Sequence, residues 1–142
     1  MTTARQELRD VVEERVAAVR AMDPAPLAAR LADDVVAFNV VPPLRLSGRD
    51  EVIAQTHTWF AAYPDGIEYE VQDVEVAVDG DVGFVSFLYH VSGVMADATA
   101  VDMWVRASLG LRRVDGRWLI VHDHESVPFD PASGQALLSV RP

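Results

Sequence analysis

The sequence contains neither cysteine nor lysine. Without cysteine there is no disulfide, no thiolate nucleophile and no zinc–thiolate site. Without lysine there is no Schiff-base chemistry on a lysine amine. Basic charge comes from twelve arginines alone, against 22 acidic residues, for a net charge of −10. That balance argues against nucleic acid, whose binding depends on neutralising phosphates, and against an anionic membrane surface. Its simplest consequence is solubility. No apolar run approaches the roughly 20 residues of a spanning helix. Met1 to Arg20 is charged and amphipathic, unlike a signal peptide. The expectation is a cytoplasmic protein with no membrane or nucleic-acid partner. Gly-rich phosphate loops, a P-loop and a Gly-x-Ser-x-Gly elbow are also missing.

What is present fits one domain over residues 1–142, half of them hydrophobic and sufficient for a real core. Leu8, Val11, Val12, Val16 and Val19 recur at helical spacing, and Thr2 or Thr3 is placed to cap that helix. Asp23-Pro24 opens a second short helix running to Leu31, because proline suits a first turn. Asp33-Asp34 breaks it, a strand follows from Val35 to Val41, and Pro42-Pro43 ends the strand. Ser47-Gly48-Arg49-Asp50 starts a third helix with Val52, Thr56, Trp59 and Tyr63 along one side.

After Pro64-Asp65-Gly66 come four β-rich runs: Ile67–Val78, Val82–Val94, roughly Ala98–Val114, and Arg117–Val127. Asp79-Gly80, the Met95-Ala96-Asp97 region and Asp115-Gly116 are hairpin turns by composition. Helices followed by a meander predict an α+β fold with helices on one face of a curved antiparallel sheet. Side-chain alternation places Val85, Phe87, Tyr89 and Val91, with Val101, Met103, Val105, Ala107, Leu109 and Leu111, toward the helices. The opposite face retains Phe84, Leu88 and Trp104. That apolar surface, with Trp118, predicts a homodimer formed sheet to sheet.

The last run carries the densest chemistry. Arg117 to Val121 is mostly apolar, and His122-Asp123-His124-Glu125 follows before Pro128. Alternation groups His122 with His124 and Asp123 with Glu125. A two-residue turn at Asp115-Gly116 would set Leu111 opposite Ile120 and turn the histidines inward. A three-residue turn with a glycine bulge would set Leu111 opposite Leu119 and turn the carboxylates inward. The bulged turn is preferred, because it extends an apolar stripe through Leu119 and Val121.

Leu31-Ala32-Asp33-Asp34-Val35-Val36-Ala37-Phe38-Asn39 with Ser47-Gly48-Arg49, and Gly116 through His124 with Ser126, carry a family resemblance. The chain resembles the nuclear transport factor 2-like superfamily, whose cone-shaped fold is shared by ketosteroid isomerase and SnoaL-like polyketide cyclases. The last strand is also similar to that of the calcium/calmodulin-dependent kinase II association domain. The resemblance covers nearly the whole chain and implies a cystatin-like roll with three N-terminal helices. It says little about activity, since the fold hosts many functions. Aligned to the steroid isomerase, the base aspartate falls on Asn39, the enolate-binding tyrosine near Arg15, and the protonated aspartate near Leu109 or Gly110, so that activity is disfavoured. The kinase domain's anion-binding arginines fall near Tyr89, Leu109 and Glu125, so that pocket is not reproduced. The catalytic aspartate of the cyclases falls at or near Asp123.

The resulting expectation is a cofactor-independent isomerase, cyclase or dehydratase acting on a small hydrophobic molecule. Asp123, Glu125 and Tyr89 are the candidate catalytic residues. Asn39, Trp59, Tyr63, Phe87, Met103 and Val105 are the candidate substrate-binding residues. Desolvation and mutual repulsion would raise at least one carboxyl pKa. The plain alternative is two solvated carboxylates at a frayed strand end, paired to Arg106 or Arg45. A non-catalytic ligand-binding or oligomerisation domain is the rival function. His122-x-His124, with His90 and Asp102, has the spacing of some metal sites but lacks a clear third ligand, so no metal is expected. His57 is either a pocket acid/base or a packing residue.

Overall fold

In a computed structural model describing residues 2–142, three helices pack on one six-stranded sheet. The order is α1 (Ala4–Arg20), α2 (Pro24–Arg30), β1 (Leu31–Phe38), β2 (Leu46–Ser47), α3 (Arg49–Ala61), β3 (Glu68–Asp79), β4 (Val82–Val94), β5 (Ala100–Val114) and β6 (Arg117–Ser126). Thr3 is the cap of α1, its hydroxyl accepting from the Gln6 amide at 3.1 Å. Asp23 caps α2 in the same way through Ala25. Both satisfy amides that a first turn leaves without partners. Gly48, at φ +92°, has no side chain with which to cap α3. Glu51 reaches back instead and accepts from the Ser47 amide at 2.7 Å.

The sheet order is β2-β1-β6-β5-β4-β3. β3 through β6 form the expected antiparallel meander, but β1 runs parallel to β6. The sheet is therefore mixed, not purely antiparallel. β1 also begins earlier than expected, at Leu31, which pairs with Ile120, and ends at Phe38. Asp33 and Asp34 do not separate helix from strand. They sit exposed where the β1–β6 register shifts, between Leu31 and Val36. Docking of β1 makes β6 an interior strand, with β5 on its other side.

One face of the sheet and one side of α1 share the core. Leu8, Val11, Val12 and Val19 pack with Val85, Phe87, Val105, Leu109 and Leu111, all nearly inaccessible. The face assignment of β4 and β5 holds along their length. Trp118 departs from expectation: it is 2% exposed and lies in the core, with its indole N–H donating to Glu7 at 2.8 Å. It belongs to the inner face and does not join Trp104 on the outer one.

The reason lies in the last hairpin. Asp115 (φ 52°) and Gly116 (φ 78°) form a two-residue turn, with Val114 opposite Arg117. Positive φ at both central residues matches the twist of a hairpin. The three-residue turn does not occur, and Leu111 stands opposite Ile120. The bulge comes later. Gly110 pairs with His122, so Val121 is an extra residue and the strand changes face. Trp118 and Ile120 point inward before it, and Asp123 and Glu125 point inward after it.

Candidate functional site

Asp123 and Glu125 are the two charged residues in the buried class, at 6% and 8% exposure among the described residues. Both lie on β6, where Asp123 pairs with Leu109 of β5 and with Ala37 of β1. They are neither solvated nor at a frayed end. Arg106 instead bonds Ser126 and Arg45 bonds Ser47. Their partner is Arg15, presented by α1 from across the core. Its Nη1 lies 3.4 Å from Asp123 Oδ2 and its Nη2 lies 3.1 Å from Glu125 Oε2. The third side of the guanidinium is also occupied, with Nε donating to the Tyr69 hydroxyl at 3.4 Å. Tyr89 donates its hydroxyl proton to Glu125 Oε1 at 2.7 Å. The Tyr69 and Tyr89 rings pack at 4.9 Å between centroids.

Burial sets the protonation of this group. Desolvation, reinforced by the charge of Glu125, pushes the Asp123 carboxyl well above the ordinary carboxylate range, and Arg15 only partly offsets this. Burial pushes the Tyr69 hydroxyl up to about 12, and raises that of Tyr89 further. Burial would pull Arg15 down, but Tyr69, Asp123 and Glu125 outweigh it, so the guanidinium stays charged. Both tyrosines are therefore neutral at neutral pH, and burial favours the neutral form of Asp123. Its Oδ1 is buried, and no protein donor among the described residues reaches it.

Asp123, Glu125, Arg15 and Tyr89 form part of the wall of a cavity of about 530 Å³. The remaining wall is mostly apolar and comes from α1, α2, α3, β1, β4 and β5, with Leu138 of the C-terminal segment. Asn39, Trp59, Tyr63 and Met103 line it, as expected. Asn39 bonds Gln55 through its amide nitrogen and accepts from the Val40 amide. Tyr63 is held by Gly93, where an added Cβ would fall 2.9 Å from its ring. Phe87 and Val105 do not line the cavity. At 2% and 1% exposure they are packed into the core. Arg15 was missed as a site residue. In the sequence it is a charge on an amphipathic helix, its one pointer being that the steroid isomerase's enolate-binding tyrosine falls near it, and its partners are 108 and 110 residues away.

The histidines lie elsewhere. His122 and His124 are on the outer face beside Phe38, with ring centroids at 4.9 and 5.5 Å from it, and His122 Nδ1 bonds the Val36 carbonyl at 2.8 Å. His90 lies between Glu70 (3.2 Å) and Asp102 (2.6 Å) and stacks on Trp104. His57 is exposed on α3. Among the described residues, no three histidine, aspartate or glutamate side chains converge as a metal site. No described helix is long and apolar enough to cross a membrane.

A mixed sheet with helices against one face and a cavity between them defines the NTF2-like, cystatin-like architecture. Solved structures agree. An NTF2-like protein of unknown function from Pseudomonas putida KT2440 is 29% identical, with a TM-score of 0.90 over 98% of this chain and 96% of that one. An NTF2-like superfamily protein from Salmonella enterica is 17% identical, with a TM-score of 0.78 over 94% and 96%. A ketosteroid isomerase-like protein from Erwinia carotovora atroseptica is 19% identical, with a TM-score of 0.75 over 89% and 97%. No curated protein matches the sequence. The model of the SnoaL-like domain matches residues 8–130, and the chain belongs to that family.

Proposed function

We propose that this single SnoaL-like domain is a cytoplasmic, cofactor-independent enzyme that performs general acid–base chemistry on a small hydrophobic molecule. Isomerisation, cyclisation and dehydration are the reactions that suit it. The observation that carries the reading is a buried carboxylic acid, Asp123, in the wall of an apolar cavity. Asp123 starts the cycle as an acid. It transfers its proton to a substrate oxygen, and Arg15 stabilises the carboxylate that forms. That carboxylate then removes a proton from a substrate carbon and becomes an acid again. Glu125, held by Arg15 and Tyr89, keeps a negative charge beside Asp123 and favours its protonated state. Asn39, Trp59, Tyr63 and Met103 would hold the substrate.

Asp123→Asn nearly matches the side chain in size. It should preserve the fold and reduce turnover by about 10²–10⁴-fold, the usual contribution of a positioned acid or base. The assay is deuterium exchange at carbons next to the carbonyl in a panel of small ketones and enones, followed by proton NMR. Exchange that survives in Asp123→Asn, or is absent across the panel in the native protein, would sink the catalytic reading. The second reading is a non-catalytic ligand-binding or oligomerisation domain. It is favoured by Arg15 holding both carboxylates, as a purely structural ion cluster would.

Homodimerisation belongs to the same proposal. Phe84 is 47% exposed on the outer sheet face, which it shares with half-buried Leu88 and Trp104, and a second copy would cover this surface. Sedimentation at micromolar concentration should give twice the chain mass, and His122→Asn or His124→Asn should weaken that association. A monomer at those concentrations counts against it.

A further inference from the structure

β5 has 15 residues and β6 has 10, and their ladder ends where Arg106 meets Ser126. Beyond that pair, residues 100–105 of β5 have no β6 partner. A bare strand edge leaves backbone donors and acceptors unpaired. The chain covers this one with its own C-terminal segment. Residues 128–137 form a hairpin, closed by the Phe129–Ala136 bridge and by the Leu137 amide donating to the Pro128 carbonyl at 2.8 Å. Gly134, at φ +76°, lies in its turn, and the Asp130 carboxylate accepts from the Ala132 amide and the Ser133 hydroxyl, each at 3.0 Å. The hairpin delivers Leu138 to β5, where its carbonyl accepts from the Trp104 amide at 2.9 Å.

Leu138 also lines the cavity, yet it is 42% exposed. A residue that touches both the cavity and solvent stands at the mouth. Val41 and Pro42 after β1, and Thr58 of α3, share that double position. Leu138 differs from them in two ways. It lies beyond residue 130, where the match to the SnoaL-like domain stops. It is also lightly held: among the described residues, the bond to Trp104 is the one hydrogen bond that ties residues 138–142 to the rest of the chain. A segment with so few ties opens locally while the sheet stays folded. We propose that residues 137–142 are a strap across the cavity mouth, that Leu138 is its plug, and that small molecules enter and leave where the strap lifts from β5. The inference rests on reading the cavity as a ligand site, and it holds whether or not turnover follows.

The absence of cysteine allows a test that needs no natural ligand. Met103 lines the cavity next to the residue that holds Leu138, so Met103→Cys places a single thiol behind the strap. Its alkylation by N-ethylmaleimide, an uncharged reagent, is timed by mass spectrometry in the full chain and in a chain ending at Ala136. Removing the strap should speed labelling about tenfold or more, because one hydrogen bond and one half-buried leucine hold it closed. Leu44→Cys, at a position 95% exposed, should label at one rate in both lengths. If the shortened chain fails to fold, Leu138→Gly in the full chain keeps the backbone bond, removes the plug and should give a smaller acceleration. Equal or slower labelling of Met103→Cys without the strap or its plug overturns the proposal. Stopped-flow binding of N-phenyl-1-naphthylamine, an uncharged fluorescent probe, separates a gate from a fixed wall. Without the strap, association and dissociation should both quicken, so that affinity changes less than either rate. Faster dissociation with unchanged association would make Leu138 a wall contact and also overturn it. A probe that binds neither chain would count against the ligand-site reading, and the labelling rates alone would then decide the strap.

Discussion

Two places in this molecule set a basic side chain between two carboxylates, one on each face of the sheet. Inside, Arg15 lies between Asp123 and Glu125. Outside, His90 lies between Glu70 and Asp102, whose side chains are 65% and 60% exposed. The formal arithmetic is similar, but the outcomes are opposite. On the surface the hydrogen bond to His90 lowers the Asp102 carboxyl, and the bond to Asp102 raises the imidazole, so charge separation is favoured. In the core, desolvation outweighs the arginine and drives Asp123 toward its neutral form. Water supports several adjacent charges, whereas the apolar cavity supports one ion pair and neutralises the remaining group. That preference for a neutral carboxyl is what separates the inner cluster from the outer one.

Removing the inner cation tests this contrast most severely. Arg15→Met leaves two carboxyl groups buried without their cation and should destabilise the protein by about 3–5 kcal/mol. Adding Asp123→Asn and Glu125→Gln should recover much of the loss, as measured by chemical denaturation. A cost below 1 kcal/mol for Arg15→Met alone would mean that water reaches the cluster and that the distinction between faces is false.

The pH dependence sharpens the comparison with a smaller effect. The folded-state pKa of Asp123 is raised, so the folded protein holds a proton that the unfolded chain releases in the ordinary carboxylate range near 3.8. The stability tied to this proton is fully present below that range. It is lost as pH rises toward the folded-state value, with a slope of up to about 1.4 kcal/mol per pH unit. Native protein should show this slope relative to Asp123→Asn in paired denaturation curves between pH 4 and 8. Superimposable curves would mean that Asp123 is an ordinary carboxylate.

The outer cluster should matter least. His90→Asn should cost less than about 1 kcal/mol, the usual limit for exposed ion pairs, and added salt should shrink the effect further. The sign is set by the raised imidazole pKa: this contribution is present at acidic pH and fades as pH rises through the value for folded His90. An effect equal to that of Arg15→Met would place the two clusters in the same kind of environment.

The inward direction of Asp123 and Glu125 was legible in the sequence, but the turn invoked for it was wrong. A bulge was the correct device at the wrong place: it occurs at Val121, five residues beyond Gly116 where the sequence carries its strongest turn signal. Misplacing it sent Trp118 to the outer face and Leu119 to the inner one. Trp59, Tyr89 and Met103 reached the cavity wall because each follows the local period of its own element, whereas Asn39 and Tyr63 reach it from just beyond β1 and α3. Phe87 and Val105 obey the same period yet are core residues, since facing inward does not say whether a helix or a cavity lies opposite.

The sequence by itself determined where α1 and α2 start to within a residue or two, the bounds of the four long strands to within a few residues, and the faces of β4 and β5. These depend on neighbours a few positions apart, and alternation and turn chemistry record them directly. Only the tertiary structure decided that β1 docks parallel to β6 and that Arg15 meets Asp123 and Glu125. It also buried Asp123, which favours the neutral form of its carboxyl. Those outcomes depend on what lies across the sheet or the core, more than 80 residues away along the chain. Burial and pairing change the cost of a charge, and no local pattern encodes them.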